Sequence, residues 1–325
     1  MRVVPAATLI LTVLNEEHSL PDFLLSLSAQ EQLPEEIVVV DGGSTDATAS
    51  LFMEWDAPAG CTLRVIVSPG ANISEGRNQA VVAASHDRIL VTDAGTSLDP
   101  QWASRMLAAF DGTDSPDVVS GFFTPTGETL VERAIAFAVT PRLTEVDPAT
   151  FLPSSRSIGF TRDAWKAAGG YPEWLDYCED LVFDLKLKEL GHVFTFEGGA
   201  IVTWSARPTI RDFMKQYYRY ARGDGKAGLW SKRHAARYGA YLVGAVLLAL
   251  SFVWPWAALV LAFCAAVYLS KFWKRVWLAR GAFGPGLVRG LLLVPVIVVA
   301  GDLAKMAGYP VGLRWARSRA AAGQA

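Results

Sequence analysis

Residues that build disulfide frameworks and metal centres are scarce in this sequence of 325 residues. The three cysteines, Cys61, Cys178 and Cys264, are scattered and form no CxxC pair, and the four histidines show no ligand spacing. These absences exclude a disulfide-stapled secreted fold and a structural zinc site. The cysteine usage instead indicates a reducing compartment.

Phosphate-binding glycine loops are also missing from the places where they would be expected. No GxGxxG follows the first predicted strand, and no GxxxxGKS/T occurs in the chain. Their absence argues against a dinucleotide fold and a P-loop. The apolar N-terminal stretch is interrupted at Asn15 by an Asn-Glu-Glu run, too early for a signal peptide or a membrane span. We therefore interpret this stretch as a first buried strand.

Acidic residues are almost absent from the last hundred residues. Residues 226–325 carry one acid, Asp302, and 13 bases, whereas residues 1–225 carry 31 acids and 17 bases. The acidic front part argues against nucleic-acid binding, and the basic, apolar tail favours contact with anionic lipids. We expect a soluble domain over residues 1–225 and a membrane-associated tail over residues 226–325.

The tail contains an uncharged run at residues 238–270 with Trp254-Pro255-Trp256 near its middle. A membrane span needs ~20 residues, and a proline between interfacial tryptophans suits a turn. Basic residues flank both ends, so we predict a helical hairpin with both ends in the cytoplasm; one tilted, kinked helix is the alternative. For residues 287–313 we predict an interfacial or re-entrant segment, with a buried helix as the alternative.

Polar residues follow the apolar runs of the front domain. Asn15 follows the first run, Asp41 ends the second and Asp93 ends the fourth, with helical spacing between the runs. Strands that alternate with helices predict a parallel α/β sheet, which binds ligands at the carboxyl ends of its strands. We therefore expect these polar residues to converge at one edge of the sheet.

Six sequence blocks resemble glycosyltransferase family 2. They are TVLNEE, VVVDGGSTDAT, GRNQA, VTDAGTSLDP, GGYPEWLDYCEDLVFDLKLKELG and QYYRY, in the family's order over about residues 7–225. The tail is similar to that of membrane-attached members. The resemblance implies a GT-A fold, which is a Rossmann-like, mostly parallel mixed sheet with flanking helices. It also implies a nucleotide-sugar donor and transfer with inversion at the anomeric carbon.

The resemblance implies a set of donor-binding residues: Asn15, Glu16, Asp41, Ser44, Asp46, Arg77, Asn78 and Asp93. Simpler interpretations stay open for several of them. Glu16 and Asp46 suit the first turn of a helix, where the dipole favours acids. Asp41 could close a turn, and Arg77 could be an ordinary helix-surface arginine. Family members often carry a second aspartate where Gly42 stands, which reduces the expected contacts to the base.

Asp93 matches the first carboxylate of the family's DxD motif, and Gly95 occupies the position of the second. One carboxylate holds Mg²⁺ or Mn²⁺ weakly, because these ions need several oxygens. A divalent cation is therefore possible but in doubt, with Asp99 as a further candidate ligand or a helix N-cap. Without a metal, cations such as Arg77, Arg219 or Arg222 must stabilise the diphosphate.

Glu179-Asp180 matches the family's ED motif, in which the aspartate is the general base. Glu179 would orient Asp180 or the donor; a solvated helix N-terminus is the alternative. QYYRY matches QxxRW with Tyr for Trp, so Gln216, Arg219 and Tyr220 are expected near the acceptor and the diphosphate. An amphipathic helix on the membrane is the alternative there. We expect the segment that starts at Arg222 to be flexible and to close over the donor.

The sequence thus predicts an inverting glycosyltransferase at the cytoplasmic face of the cell membrane. Its partners would be a nucleotide-sugar donor and a lipid-linked or surface-glycan acceptor. Two alternatives remain. One is a nucleotide-sugar-binding membrane module without activity, which the glycine at position 95 suggests because the second DxD carboxylate is absent there. The other is a processive polysaccharide synthase, although such enzymes usually need more membrane spans than this tail offers.

Overall fold

The computed structural model describes residues 6–112 and 115–322. The chain divides into two compact units. The first comprises Met1–Thr124 and Arg142–Trp204, and the second comprises Pro125–Pro141 and Ser205–Ala325. This division differs from the predicted boundary near residue 225, because the QYYRY block falls in the second unit.

The described strands form one eight-stranded sheet in the order β3-β2-β1-β4-β7-β6-β8-β5. Pairs β1–β2, β2–β3 and β1–β4 are parallel, whereas β4–β7, β6–β7 and β5–β8 are antiparallel. The predicted α/β class with a mixed sheet and flanking helices is confirmed. The strands are β1 (Ala7–Val13), β2 (Glu36–Asp41), β3 (Thr62–Val67), β4 (Arg88–Val91), β5 (Thr96–Leu98), β6 (Val118–Thr126), β7 (Ile158–Thr161) and β8 (Phe194–Ser205).

Helices and short 3₁₀ turns connect these strands. They are α1 (Leu20–Ser28), α2 (Thr48–Glu54), α3 (Ile73–Ala83), α4 (Trp102–Phe110), α5 (Leu130–Val139), a turn at Leu143–Glu145, α6 (Arg162–Ala168), α7 (Glu179–Glu189), α8 (Ile210–Lys226), α9 (Ser231–Ser251), α10 (Trp256–Leu278), α11 (Arg280–Phe283), a turn at Gly284–Gly286, and α12 (Leu287–Ala321).

The first unit has apolar cores on both faces of its sheet. Successive strand residues point to opposite faces, so Leu9 and Leu11 join a cluster with Trp102, whereas Ile10 joins a cluster with Phe160. A strand covered on both faces is apolar throughout, which is why β1 and β2 contain continuous apolar runs. The polar residues that follow these strands therefore lie just outside the core, at the carboxyl edge.

Residues 193–196 and 200–204 each have the pattern of a short strand, so the sequence alone predicts two separate strands here. The chain instead continues as one 12-residue strand through Gly198 and Gly199. A Cβ at Gly199 would lie 2.6 Å from Arg105 Nη1 and 2.8 Å from Glu197 Oε1. Glycine here admits two neighbouring side chains and does not end the strand.

Helices α8 and α12 of the second unit approach each other at glycines. A Cβ at Gly225, Gly308 or Gly312 would collide with the backbone of the facing helix. The segment from Arg222 to Gly225, predicted to be flexible, is the last part of α8. That prediction is wrong, because the glycines there allow close helix packing and do not form a mobile loop.

The tail forms long helices. Helices α9 and α10 are separated by residues 252–255, and Pro255 precedes α10. By length and composition, Trp256–Leu278 and Arg280–Ala321 could each cross a membrane. Where an interfacial or re-entrant segment was expected over residues 287–313, the structure has the single 35-residue helix α12, which contains Pro295 and Pro310.

Candidate active site

The loops after β1 and β2 join at the carboxyl edge of the sheet. The Asn15 N–H donates to Ser44 Oγ (2.9 Å), and Asn15 Oδ1 accepts from the Thr45 N–H (2.9 Å). Asn15 has a φ of 56°, which asparagine tolerates better than most residues. Asn15 and Ser44, two of the expected donor contacts, are therefore parts of one loop junction.

Asp41 and Asp46 also engage their own loop. Asp41 Oδ1 accepts from the Gly43 N–H (3.0 Å), the Ser44 N–H (2.8 Å) and the Ser44 hydroxyl (2.8 Å). Asp46 Oδ1 accepts from the Thr48 N–H (3.0 Å) at the start of α2. These are the turn-closing and helix-start contacts that the sequence left open. They fix both carboxylates at the edge where a donor would lie.

Glu16 lies beside the loop after β4. Its N–H donates to Thr48 Oγ1 (2.7 Å), and its carboxylate accepts from the Ser19 hydroxyl. A Cβ added at Gly95 would have one neighbour within 4 Å, Glu16 Oε2 at 3.9 Å. The place of the missing DxD carboxylate is therefore open space next to another carboxylate.

Arg77 on α3 bridges two of the predicted site residues. Its Nη1 donates to Glu179 Oε1 at 2.7 Å, and its Nη2 donates to Asp93 Oδ1 at 3.1 Å. The side chain is only 3% exposed and lies over the Tyr171 ring. Burial alone would lower the arginine pKa, but Glu179 and Asp93 raise it above its usual value. Arg77 thus connects the end of β4 with the start of α7.

Helix α7 begins with the predicted catalytic pair. Cys178 precedes it at a φ of 67°, and Glu179 and Asp180 form its first turn. Glu179 is buried; desolvation first, and then the charge of Asp180, raise its pKa, while Arg77 opposes this rise. Asp180 is half-buried, and its Oδ1 accepts from the Leu181 N–H at 2.8 Å. Of the two carboxylates, Asp180 is the more accessible.

Asp184 lies one helical turn after Asp180 and was missed in the sequence. The residue is 1% exposed, and within the described part of the chain neither carboxylate oxygen has a hydrogen-bond partner. Burial and the nearby charge of Asp180 hold its pKa well above the usual value. The spacing of four residues was the available signal, because such residues share a helix face.

Arg156, which the sequence analysis also missed, contacts the other oxygen of Asp93. Its Nε lies 3.9 Å from Asp93 Oδ2, and its guanidinium lies over the Trp204 ring, 5.2 Å from the centroid. Its Nη1 donates to Ser154 Oγ at 3.2 Å. Nothing local in the sequence signals this contact, since Arg156 and Asp93 are far apart along the chain.

Asn78 is engaged within the protein. Its Nδ2 donates to the Tyr171 carbonyl (2.9 Å) and to Glu173 Oε1 (2.9 Å). Its Oδ1 accepts from the Tyr171 N–H (2.8 Å) and from Trp165 Nε1 (3.0 Å). An amide side chain makes four such bonds at most. Asn78 therefore holds this loop through its whole amide group, and its expected place near the donor phosphates stays a prediction.

The predicted acceptor-side residues lie on α8 in the second unit. Gln216 is buried and its Nε2 donates to the Tyr220 hydroxyl at 2.8 Å. Arg219 lies between them in sequence on the same helix. They are therefore neighbours on one helix, separate from the unit that holds Asp93 and Asp180.

The residues around Asp93 fit a divalent cation poorly. Among residues 6–112 and 115–322, no group of three or more His, Cys, Asp or Glu side chains could hold a metal ion. Both oxygens of Asp93 face guanidinium groups, those of Arg77 and Arg156. Asp99 Oδ1 accepts from the Gln101 N–H at 3.0 Å, but the N-cap residue of α4 is Gln101, so Asp99 precedes the cap of this helix.

Comparisons with known proteins find similarity to glycosyltransferases. The sequence model for "Glycosyl transferase family 2" matches residues 8–160. The succinoglycan biosynthesis protein ExoA of Rhizobium meliloti is 24% identical over 199 residues, covering 58% of this chain and 60% of that protein. The uncharacterized glycosyltransferase Rv0539 of Mycobacterium tuberculosis is 32% identical over 116 residues, covering 36% and 48%. The chain thus spans about half to three fifths of these relatives.

Two solved structures share the fold. The mannosyltransferase PcManGT from Pyrobaculum calidifontis, in complex with GDP-Man and Mn²⁺, has a TM-score of 0.55 at 17% identity, covering 94% of this chain and 88% of that chain. Residues 1–349 of TarS from S. aureus, in complex with UDP-GlcNAc, have a TM-score of 0.51 at 18% identity, covering 98% and 92%. At these identities the likeness concerns the fold.

Proposed function

Residues 8–160 form a glycosyltransferase family 2 domain, and from this premise we propose that the protein is an inverting glycosyltransferase. Its donor is a nucleotide sugar, a class supported by the fold neighbours solved with GDP-Man and UDP-GlcNAc. Its acceptor is a lipid-linked or growing surface glycan at the cytoplasmic face of a membrane. The likeness to a succinoglycan biosynthesis protein supports a glycan acceptor.

The bridge made by Arg77 carries the proposal. One guanidinium binds Asp93, which follows a strand at the donor edge, and Glu179, which adjoins Asp180. The donor edge and the candidate base are therefore held in one arrangement by a buried side chain. Inverting transfer requires this pairing, because the base must act on the acceptor while the donor is bound.

Asp180 is the proposed general base. The acceptor hydroxyl oxygen attacks the anomeric carbon from the face opposite the diphosphate. The new C–O bond forms as the bond to the diphosphate breaks, the hydroxyl proton passes to Asp180, and the nucleoside diphosphate leaves with the bonding electron pair. Glu179 is buried against Arg77 and positions its neighbour. Of the two carboxylates in the first turn of α7, that of Asp180 is partly exposed, whereas that of Glu179 is buried.

The exposed apolar surface of the tail supports attachment to a membrane. Phe252 and Val253, between α9 and α10, are 86% and 87% exposed, and Trp254 and Trp256 beside them are also exposed. Water-soluble surfaces rarely present so many large apolar side chains together, whereas a bilayer accepts them. We propose that α9 and α10 insert as a hairpin, with the basic residues at their outer ends on the cytoplasmic side.

The experiment that tests the base is Asp180→Asn in the full chain. We expect transfer to fall by roughly 10²–10⁴-fold, the usual contribution of a positioned base, while nucleotide affinity changes little. Transfer from radiolabelled nucleotide sugars to membrane lipids and glycans gives the rate, and calorimetry gives the affinity. Asp163→Asn is a matched control, because Asp163 also lies in a first helical turn but is exposed. Undiminished turnover of the Asp180 variant would remove the base assignment.

Gly95 favours a second candidate, a nucleotide-sugar-binding module without activity, because a DxD carboxylate is missing there. Donor hydrolysis and transfer assays separate the candidates: binding without any turnover favours the module. A processive synthase is distinguished by its products, which would carry many added sugars where the proposed enzyme adds one.

A further inference from the structure

The environment of Asp93 is cationic before any ligand binds. Its Oδ1 accepts from Arg77 Nη2 at 3.1 Å, and its Oδ2 lies 3.9 Å from Arg156 Nε. A carboxylate that ligates a metal directs its oxygens at the ion, and here both oxygens already face positive groups. A dication would therefore meet repulsion from two guanidinium groups unless Asp93 gave up its partners.

The space at Gly95 does not supply the missing ligand. A side chain there would be free of clashes, with Glu16 Oε2 at 3.9 Å as its nearest neighbour. The chain therefore has room for a second carboxylate but does not carry one. The charge that a diphosphate needs must come from elsewhere at this edge.

Arg156 is built to supply that charge. Its side chain lies over the Trp204 ring, and the backbone carbonyl of Arg156 accepts from Thr92 Oγ1 at 2.8 Å, next to Asp93. The side chain is 24% exposed, whereas that of Arg77 is 3% exposed. Of the two guanidinium groups that face Asp93, that of Arg156 is therefore the more exposed to a ligand.

We infer that Arg156, in place of a resident divalent cation, binds the diphosphate of the donor. This inference rests on the proposed function and names the cation of that site. A guanidinium offers several N–H donors in one plane, a geometry that matches two oxygens of a phosphate next to Asp93. When the nucleoside diphosphate leaves, the same pairing stabilises its negative charge.

The test is calorimetric binding of UDP and GDP to the full chain in detergent, first with EDTA and then with Mn²⁺. We expect at least one nucleotide to bind in EDTA, with an affinity that changes less than about threefold on adding Mn²⁺. Arg156→Gln should weaken binding of that diphosphate by ~10–100-fold and leave binding of the bare nucleoside unchanged. Arg156→Lys keeps the charge without the planar guanidinium, so its affinity for the diphosphate should lie between those of the unaltered and the Arg156→Gln proteins.

Arg88→Gln is the matched control. Arg88 is 25% exposed, pairs with Asp111 and lies over the Phe110 ring. It therefore resembles Arg156 in its exposure, its aspartate partner and its aromatic neighbour. It lies at the start of β4, whereas Asp93 follows the end of that strand. Its variant should bind nucleotides as the unaltered protein does, which controls for a general loss of fold.

Two results overturn the inference and leave the proposed function intact. One is binding that requires Mn²⁺ and disappears in EDTA. The other is unchanged affinity for the diphosphate in folded Arg156→Gln and Arg156→Lys proteins. If no nucleotide or nucleotide sugar binds under any condition, the proposed function falls together with the inference.

Discussion

Replacing Arg77 by methionine tests the central bridge most directly. Methionine has a similar length and removes the charge, so Glu179 and Asp93 lose their shared partner. Breaking a buried ion pair on one side typically costs about 3–5 kcal/mol, because the remaining charge stays buried. Glu179 has only 8% of its side chain exposed, so water cannot compensate for most of this loss.

The size of the expected change follows from the two contacts. The hydrogen bonds at 2.7 Å and 3.1 Å are both charge-assisted, and both are lost. For a unit of this size, 1 kcal/mol shifts the melting temperature by about 2–4 °C. We therefore expect the Arg77→Met protein to melt roughly 6–20 °C lower at pH 8. A second substitution, Glu179→Gln, should recover part of the loss because it removes the stranded charge.

The pH dependence distinguishes lost charge from lost packing. The destabilisation exists while Glu179 is ionised, so it should shrink as the pH falls and Glu179, whose pKa is raised by burial, takes up a proton. Thermal unfolding of both proteins in detergent between pH 4.5 and 8 measures this. A melting difference that is the same at both ends of this range would refute the electrostatic reasoning and leave a cavity as the cause.

Two further predictions concern features outside the bridge. Asp184→Asn should stabilise the protein by about 1–3 kcal/mol at pH 8 and by little near pH 4. The pKa of Asp184 is raised in the native state, so the native state loses stability as the pH rises above the pKa that Asp184 has in the unfolded chain. Asparagine carries no charge and avoids this loss. Unfolding free energies measured against pH check this, and an equal gain at both pH values would contradict it. A Phe252→Glu, Val253→Glu double variant should be extracted from membranes by alkaline carbonate, since charged side chains at the hairpin turn oppose insertion; retention would contradict the proposed hairpin.

The edge of the sheet was predictable because parallel strands bring their carboxyl ends together. Asp41 ends β2, whereas Asn15 and Asp93 follow β1 and β4, and the structure places the loops around them at one edge. The directions of their side chains were not predictable. Asp41 Oδ1 accepts from the Ser44 N–H of its own loop, and Asn78 Oδ1 accepts from the Tyr171 N–H. Nearby N–H groups of the protein compete with a ligand for such acceptor atoms.

Contacts between distant parts of the chain had no local signal. Arg156 reaches Asp93 only because β7 pairs with β4, a pairing that no short pattern encodes.

Two glycines gave wrong predictions of secondary structure for a similar reason. The sequence predicts two separate strands around Gly199 and a flexible segment that includes Gly225, yet each glycine lies inside a regular element where a neighbour approaches closely. Local propensity was overridden there by tertiary packing.

The charges around Asp93 give a physical account of the glycine at position 95. Two carboxylates leave a site negative, and a dication then restores the charge that a diphosphate needs. Here one carboxylate, that of Asp93, faces the guanidinium groups of both Arg77 and Arg156, and the Arg156 side chain is 24% exposed. Arg77 also pairs with Glu179 at 2.7 Å, so its charge stabilises the part of the site that holds the candidate base Asp180 as well. A second carboxylate at position 95 would lie beside that of Glu16 and would add negative charge where we propose that the donor diphosphate binds.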